Sequence, residues 1–362
     1  MKRALFHILA SIVCAAHFAS CAASPAEDGE PRYQKYQTSF IELFDTTVTV
    51  IGYTESQAEF DRFADIVYDR MERLHRLYDI YHEYDGLNNL YTVNKNAGIV
   101  PVAVDKDIID MLLLAREGYE LSGGVVNIAL GPVLRIWSEY RSAGMADEAN
   151  ASLPAMDALQ KAALDIDIGD LDIDEAAGTV FFKKSGMSLD VGSVAKAYAT
   201  QLAVRAAADA GMRSLLVNSG GNIVSHGRPL DGARDRWSIG VVNPDLPESQ
   251  DFADIVYIID QTVSCSGGYQ RFYTVNGQTY HHIIDPATLM PANRFKQVAV
   301  IHENAGLADL LSTALFIMPY EEGAALAEML GAEALWIDMD GVWRSTDGYA
   351  NISQSKALPA AP

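Results

Sequence analysis

The chain has 362 residues, 49% of them apolar, and carries 48 Asp and Glu against 27 Lys and Arg, a formal net charge of −21. Such an acidic balance excludes nucleic acid and anionic lipid as general partners, because both are bound through surplus Lys and Arg. The length and apolar fraction allow a large core, as one big domain or two closely joined ones.

Lys2-Arg3, a mostly apolar run from Ala4 to Ala19 and then Ser20-Cys21 open the chain. Two cations, an apolar run and small residues read as an export signal over residues 1–20. A buried core helix is the rival reading, but such helices seldom open a chain behind two cations. Phe18-Ala19-Ser20-Cys21 is similar to a bacterial lipobox, with Cys21 as the lipidated new N-terminus; cleavage nearby by the general signal peptidase stays open. Loss of Lys2 and Arg3 takes the charge from −21 to −23. An acidic body then needs covalent acyl chains to stay at a membrane, on the outer, periplasmic or extracellular side of a bacterial envelope. Only Cys265 remains beside Cys21 after cleavage, so no disulfide is expected within the folded body and the core must hold by packing. The expected organisation is a flexible spacer over 21–35, a catalytic domain over 36–350 and a flexible tail over 351–362, Ala/Pro-rich after Ser355.

Ser56-Gln-Ala-Glu59 is a capping box, and Phe60, Phe63, Val67, Met71 and Leu74 follow at helical spacing, which predicts a helix over 57–78. Asp105 caps another, with Ile108, Leu112 and Tyr119 on one side and Gly123-Gly124 beyond its end. Pro154 marks the start of a helix through Leu159, and 195–210 reads as helical up to Gly211. Strands are predicted at 48–53, 179–183, 214–218, 255–260 and 297–301. Asn276-Gly277, between 272–275 and 278–284, predicts a hairpin with a two-residue turn. That places His281 and His282 on one strand, facing opposite sides, so that only one can face a pocket. Helices and strands mix without regular βαβ alternation, which predicts an α+β class. Gly220-Gly221 and Gly267-Gly268 are too short for a dinucleotide fingerprint and no Walker motif appears, so a nucleotide site is not of Rossmann type.

Two separated runs carry the most chemistry: Ser188-Leu-Asp-Val-Gly-Ser-Val-Ala-Lys196 and Asp309-Leu-Leu-Ser-Thr313. A carboxylate and a hydroxyl four residues apart share a helix face, and Gly192 permits close backbone approach, a pattern suited to a phosphate ligand and a hard cation. Taken alone, Asp309 reads as a helix cap with Thr313 packed beneath it. Asp190 and Lys196 alone read as a solvated pair, and Phe44 and Tyr81 as core aromatics.

Gly123-Gly-Val-Val-Asn127, Asn218-Ser-Gly-Gly-Asn222, Ser264-Cys-Ser-Gly-Gly-Tyr-Gln-Arg271 and His281-His-Ile-Ile-Asp-Pro286 stand in one order with those runs. Together they resemble the ApbE family, the Mg-dependent FAD:protein FMN transferases, over roughly residues 38–346. The resemblance implies an α+β, ApbE-like (T-fold-like) fold of mixed sheets and packed helices. It implies Mg²⁺ held by Asp309, Thr313 and the backbone carbonyl of Ser193, with Asp309 serving catalysis through the metal. Ser312 stands where a second acid is common, which implies a weaker or more hydrated cation site. FAD contacts are implied for Asp190 and Lys196, for Tyr81 beside the flavin, and for the backbone of Ile283. Phe44-Asp45-Thr46 falls where Met-Gly-Thr is common, and Val125, Val126 and Asn127 fall where a small residue, an aromatic and Asp are common. Asn127 can accept a hydrogen bond but carries no charge. His282 matches the family's active-site histidine, which takes a proton from the incoming hydroxyl or holds the phosphate. Cys265 replaces a Thr and, with no partner base in the sequence, reads as a small buried hydrophobe.

The implied reaction takes FAD as substrate, moves FMN to a Thr or Ser hydroxyl of an exported or membrane redox protein, and releases AMP. The chain lacks the acceptor pattern Asp-x-x-Ser/Thr-Gly-Ala-Thr/Ser, so it reads as the donor enzyme. Two other readings stay open from sequence: hydrolysis of FAD to FMN and AMP, associated with treponemal relatives of the family, and a flavin-binding lipoprotein without catalysis.

Overall fold

Alternation along the strand Phe295–His302 sets the layers of the molecule. Val298 and Val300 join the larger core cluster on one face, while Ala299 and Ile301 join a second cluster on the other. The computed structural model describes residues 32–246 and 252–355; the export signal and Cys21 lie outside them. Eight strands form the main sheet, in the order Gln34–Leu43, Thr46–Thr54, Leu215–Ser219, Asn222–His226, Thr262–Gly267, Phe295–His302, Glu333–Asp338 and Trp343–Ser345. Every neighbouring pair in it is antiparallel, so the α+β class is observed and a doubly wound parallel sheet is absent among the described residues.

Helices Gln57–Tyr78, Ala195–Asp209 and Ala305–Ile317 cover one face of this sheet. The paired strands Trp237–Val242 and Phe252–Ile258 cover the other. A third cluster, built on Trp137, Leu159, Tyr273 and Leu289, fastens helix Gly131–Ala146 to the hairpin Phe272–Val275/Gln278–His281.

The helix over 57–78 forms as predicted, with the Ser56 hydroxyl accepting from Glu59 N–H. Glu59 reaches back to the N–H of Glu55 instead of Ser56, closing the box one residue early. Asp105 caps Lys106–Leu121 through Asp107 N–H. The helix expected from Pro154 starts at Met156. Asn276 and Gly277 both take positive φ in the two-residue turn.

Two expectations are corrected. The second hairpin strand ends at His281 rather than at 284, because the His281 ring accepts from Ile283 N–H at 3.2 Å and lies 2.7 Å from the Ala292 carbonyl, turning the chain. Residues 351–355 are also no loose tail. Ser353 pairs with Val256 and its hydroxyl lies 2.5 Å from the buried Asp254 carboxylate, which also accepts from the Ser355 hydroxyl at 3.1 Å. Among the described residues, no helix is long and apolar enough to cross a membrane.

Candidate active site

Helix Ala305–Ile317 begins when Asn304 caps Leu307 N–H, and its apolar faces bury it against the main sheet. Asp309, Ser312 and Thr313 share one side of it at i, i+3 and i+4. Asp309 is only 7% exposed. Its carboxylate accepts from Asn222 Nδ2 at 3.2 Å and from the Ala197 N–H in the first turn of helix Ala195–Asp209. Burial pushes its pKa up to about 7, against the opposing pull of Lys196 and those two donors. Burial likewise lowers Lys196, with Asp309 raising it and Arg271 lowering it further.

Ser193 sits in the turn that leads directly into this helix, and Thr313 lies one turn along from Asp309. One carboxylate, a hydroxyl and a carbonyl make an all-oxygen donor set, which fits Mg²⁺ that keeps waters and substrate phosphate in its shell. No group of three or more His, Cys, Asp or Glu suited to a metal occurs among the described residues. A cation here would therefore complete its shell with water or substrate oxygens. Ser312 does not replace the missing acid: its buried hydroxyl donates to the Asp309 carbonyl at 2.9 Å and lies 2.8 Å from Ser266 Oγ.

Asp190 is set by backbone clamps on its own segment. Asn94 holds Leu189 from both sides, with Leu189 N–H to Oδ1 at 2.7 Å and Nδ2 to the Leu189 carbonyl at 3.1 Å. Asp190 N–H donates to the Ile128 carbonyl at 2.8 Å. The segment passes so close to Gly131 that a Cβ there would lie 2.4 Å from the Ser188 carbonyl oxygen, which excludes any larger residue. Asp190 Oδ1 accepts from Gly192 N–H at 2.9 Å. Burial raises its pKa, while that hydrogen bond and the guanidiniums of Arg141 and Arg271 oppose the rise.

Tyr81 stands 65% exposed, within electrostatic reach of Asp190, Asp45, Arg271 and Arg141. Its loop is organised by the buried Asp79. One carboxylate oxygen accepts from the N–H groups of Tyr81 and His82 at 2.6 and 3.1 Å, and the other lies 2.9 Å from both the His82 ring and the Tyr84 hydroxyl. Burial pushes the Asp79 pKa up, but these bonds outweigh it and hold the group below its ordinary value. Asp79→Ala should therefore cost about 2 kcal/mol of stability from the orphaned donors. If Tyr81 contacts FAD as the family resemblance implies, the variant should also weaken FAD binding, as read by calorimetry; unchanged FAD affinity would remove Tyr81 from the candidate contacts.

The two histidines separate in role. Both ring nitrogens of His281 are engaged with backbone, and its ring lies edge-on to Phe316. His282 has a buried Nδ1 without a partner. Burial, then Arg271, His281 and Arg141, push its pKa down to about 3, so the imidazole is neutral at physiological pH. Ile283 has both backbone groups occupied, by the His281 ring and by Ala292 N–H, leaving one carbonyl lone pair for a ligand.

The remaining sequence candidates are tied into the surrounding packing. Asn127 caps Ile128–Leu130 by accepting from Ala129 N–H at 2.8 Å and donates to the Ile166 carbonyl at 2.8 Å, so its amide is committed at both ends. Val126 is buried and Val125 packs on the main core. Phe44 and Asp45 form a tight turn with both φ angles at +53°, a conformation costly for non-glycine residues that the surrounding packing holds. Phe44 packs on His75 and Tyr78, while Asp45 reaches Lys196 and Tyr81. Sequence reasoning missed Asp45, Asn222, Arg141 and Arg271 as site residues; Asn222 and Arg271 stood inside motifs already singled out, whereas Arg141 had no local signal.

The sequence matches the model of the ApbE family over residues 44–336. The FAD:protein FMN transferase of Treponema pallidum (strain Nichols) is 33% identical over 275 residues, covering 72% of this chain and 74% of that protein. A protein of the same description from Klebsiella pneumoniae (strain 342) is 26% identical over 272 residues, covering 72% and 81%. Among solved structures, the ApbE protein of Thermotoga maritima superposes with a TM-score of 0.77 at 25% identity, covering 88% of this chain and 99% of that one. The flavin transferase ApbE from Vibrio cholerae gives 0.73 at 22% identity with the same coverage, which bears on the fold.

Proposed function

The chain belongs to the ApbE family, and from that membership we propose that it transfers FMN from FAD to a Thr or Ser hydroxyl of an exported or membrane redox protein, releasing AMP. The observation that carries this reading is the buried Asp309 carboxylate. It is held at the first turn of the helix that bears Lys196, and Arg271 lies within electrostatic reach of both Lys196 and the neutral His282. When bound to Asp309, Thr313 and the Ser193 carbonyl, Mg²⁺ would offset charge on the pyrophosphate. Lys196 adds a point cation on the same side.

In the transfer step the bond between the FMN phosphorus and the bridging pyrophosphate oxygen breaks as the acceptor oxygen bonds to phosphorus. The acceptor proton passes to His282, and AMP leaves with the bridging oxygen. His282 is a weak base because burial and Arg271 disfavour its cation; a phosphate anion beside Arg271 would reverse the second influence and raise its basicity. Asp190 and Tyr81 supply the wall that orients the nucleotide. The test is incubation of the mature protein with FAD, Mg²⁺ and an acceptor, read as flavin fluorescence on a denaturing gel. No fluorescent acceptor band at any Mg²⁺ level would overturn the transfer reading.

We also propose that the protein is anchored by lipid at Cys21 on the outer side of a bacterial membrane, the reading supported by the sequence before the described residues. Cys21→Ser should then move the protein out of the membrane fraction or leave it unprocessed. Mutant protein retained on membranes after a high-salt wash, with its signal removed, would sink the anchor.

A further inference from the structure

Helix Gly131–Ala146 lies on the hairpin with little room to spare. Trp137 stacks on Tyr280 with ring centroids 6.3 Å apart, and a Cβ on Gly144 would come within 2.5 Å of the Tyr273 ring. Residues 137, 141 and 144 share a helix face, so Arg141 is turned toward the hairpin as well. On the hairpin, the ladder ends at the pairing of Phe272 with His281, and just beyond it the Arg271 backbone hydrogen-bonds His282. Two arginines from separate elements thus converge beside the proposed base.

Each guanidinium lies within electrostatic reach of the other and of Asp190, Tyr81 and His282, and Arg271 also reaches Lys196. Among the described residues neither forms a salt bridge, whereas Arg70, Arg228 and Arg344 each close on an aspartate. Like charges side by side repel unless an anion lies between them, and Asp190 is a carboxylate within reach of both guanidiniums. Planar guanidinium forks match phosphate oxygens two at a time, and Arg271, in reach of Lys196, can share one ligand with it.

We propose that Arg141 and Arg271 form a two-guanidinium clamp for the pyrophosphate of the dinucleotide, facing the wall that carries Lys196 and Asp309. This rests on the reading of FAD as substrate. Arg271, next to His282, holds the oxygens of the phosphoryl group being transferred, and Arg141 holds the group on the outer side.

The probe is inorganic pyrophosphate titrated calorimetrically into chelator-treated mature protein, so that neither metal nor turnover enters. Arg271→Gln and Arg141→Gln should each weaken binding by about tenfold, and the double variant by about a hundredfold. Arg135→Gln, an exposed change on the same helix with the same loss of charge, should leave it unchanged. Arg271→Gln keeps the hairpin intact because its side chain is exposed, and an unaltered melting temperature checks this. Pyrophosphate affinity in the double variant equal to that of Arg135→Gln would overturn the clamp. So would a rise confined to the KM for acceptor protein, which would assign the arginines to an acceptor carboxylate. If wild type binds pyrophosphate through both arginines yet releases no AMP from FAD, the transfer reading falls while the clamp stands.

Discussion

Asp309→Asn should lower Mg²⁺-dependent AMP release from FAD by about a thousandfold or more, since metal neutralisation of phosphoryl charge contributes several kcal/mol. The variant keeps the shape and the contact with Asn222 but cannot offer a carboxylate to the cation. Its second signature is thermal. Burial raises the Asp309 pKa from 3.8 to about 7, so the metal-free native state holds a proton that the unfolded chain has already lost. Metal-free stability therefore declines as pH rises from about 4 through about 7, and stays lower above. A cation that binds only the carboxylate reverses that decline, so added Mg²⁺ should raise the wild-type melting temperature at pH 8 and much less at pH 6. Asp309→Asn should show no Mg²⁺ response at either pH. The acid limb of activity should likewise move to lower pH as Mg²⁺ is raised, because metal and proton compete for one group. Equal Mg²⁺ stabilisation in wild type and variant would remove Asp309 from the metal site.

Local signals carried most of the elements. Ser56, Asp105 and Asn276-Gly277 each act within a few residues, and each produces the cap or turn that its chemistry requires. The misses have long-range causes. Where the hairpin strand stops is decided by the His281 ring meeting the Ala292 carbonyl, and where the chain stays packed after 350 is decided by Asp254 meeting Ser353. Neither partner is adjacent in sequence. The site divides the same way. Asp190, Lys196, Asp309 and His282 sit inside runs dense in Gly, Asp and His, so the sequence singles them out as candidates. Arg141 stands on an ordinary amphipathic helix, and the packing of that helix on the hairpin through Trp137 and Gly144 brings it within reach of Asp190. Asn94, which clamps Leu189, is hidden for the same reason.

His282→Ala should depress FMN transfer by about 10²–10⁴-fold while changing FAD affinity little, because a general base acts as the bond forms and not in the ground state. With radiolabelled FAD and acceptor, wild type should give AMP and protein-bound FMN in equal amounts, with free FMN minor, since positioning gives the bound hydroxyl its advantage over water. The variant should lose both products together. An independent readout follows from the same imidazole. Its pKa falls from 6.5 to about 3 in the folded, ligand-free protein. The unfolded chain then binds the extra proton first, so this residue's contribution to stability is complete above about 6.5 and is lost as pH falls toward 3. His282→Ala should accordingly flatten the acid-side drop in melting temperature between pH 6 and 4. The flattening without loss of transfer would leave a buried structural histidine. Loss of transfer with a matching loss of FAD binding would leave a ligand contact. Free FMN forming equally fast with and without acceptor, and falling with the variant, would keep His282 as the base but make water its partner, turning the enzyme into an FAD hydrolase.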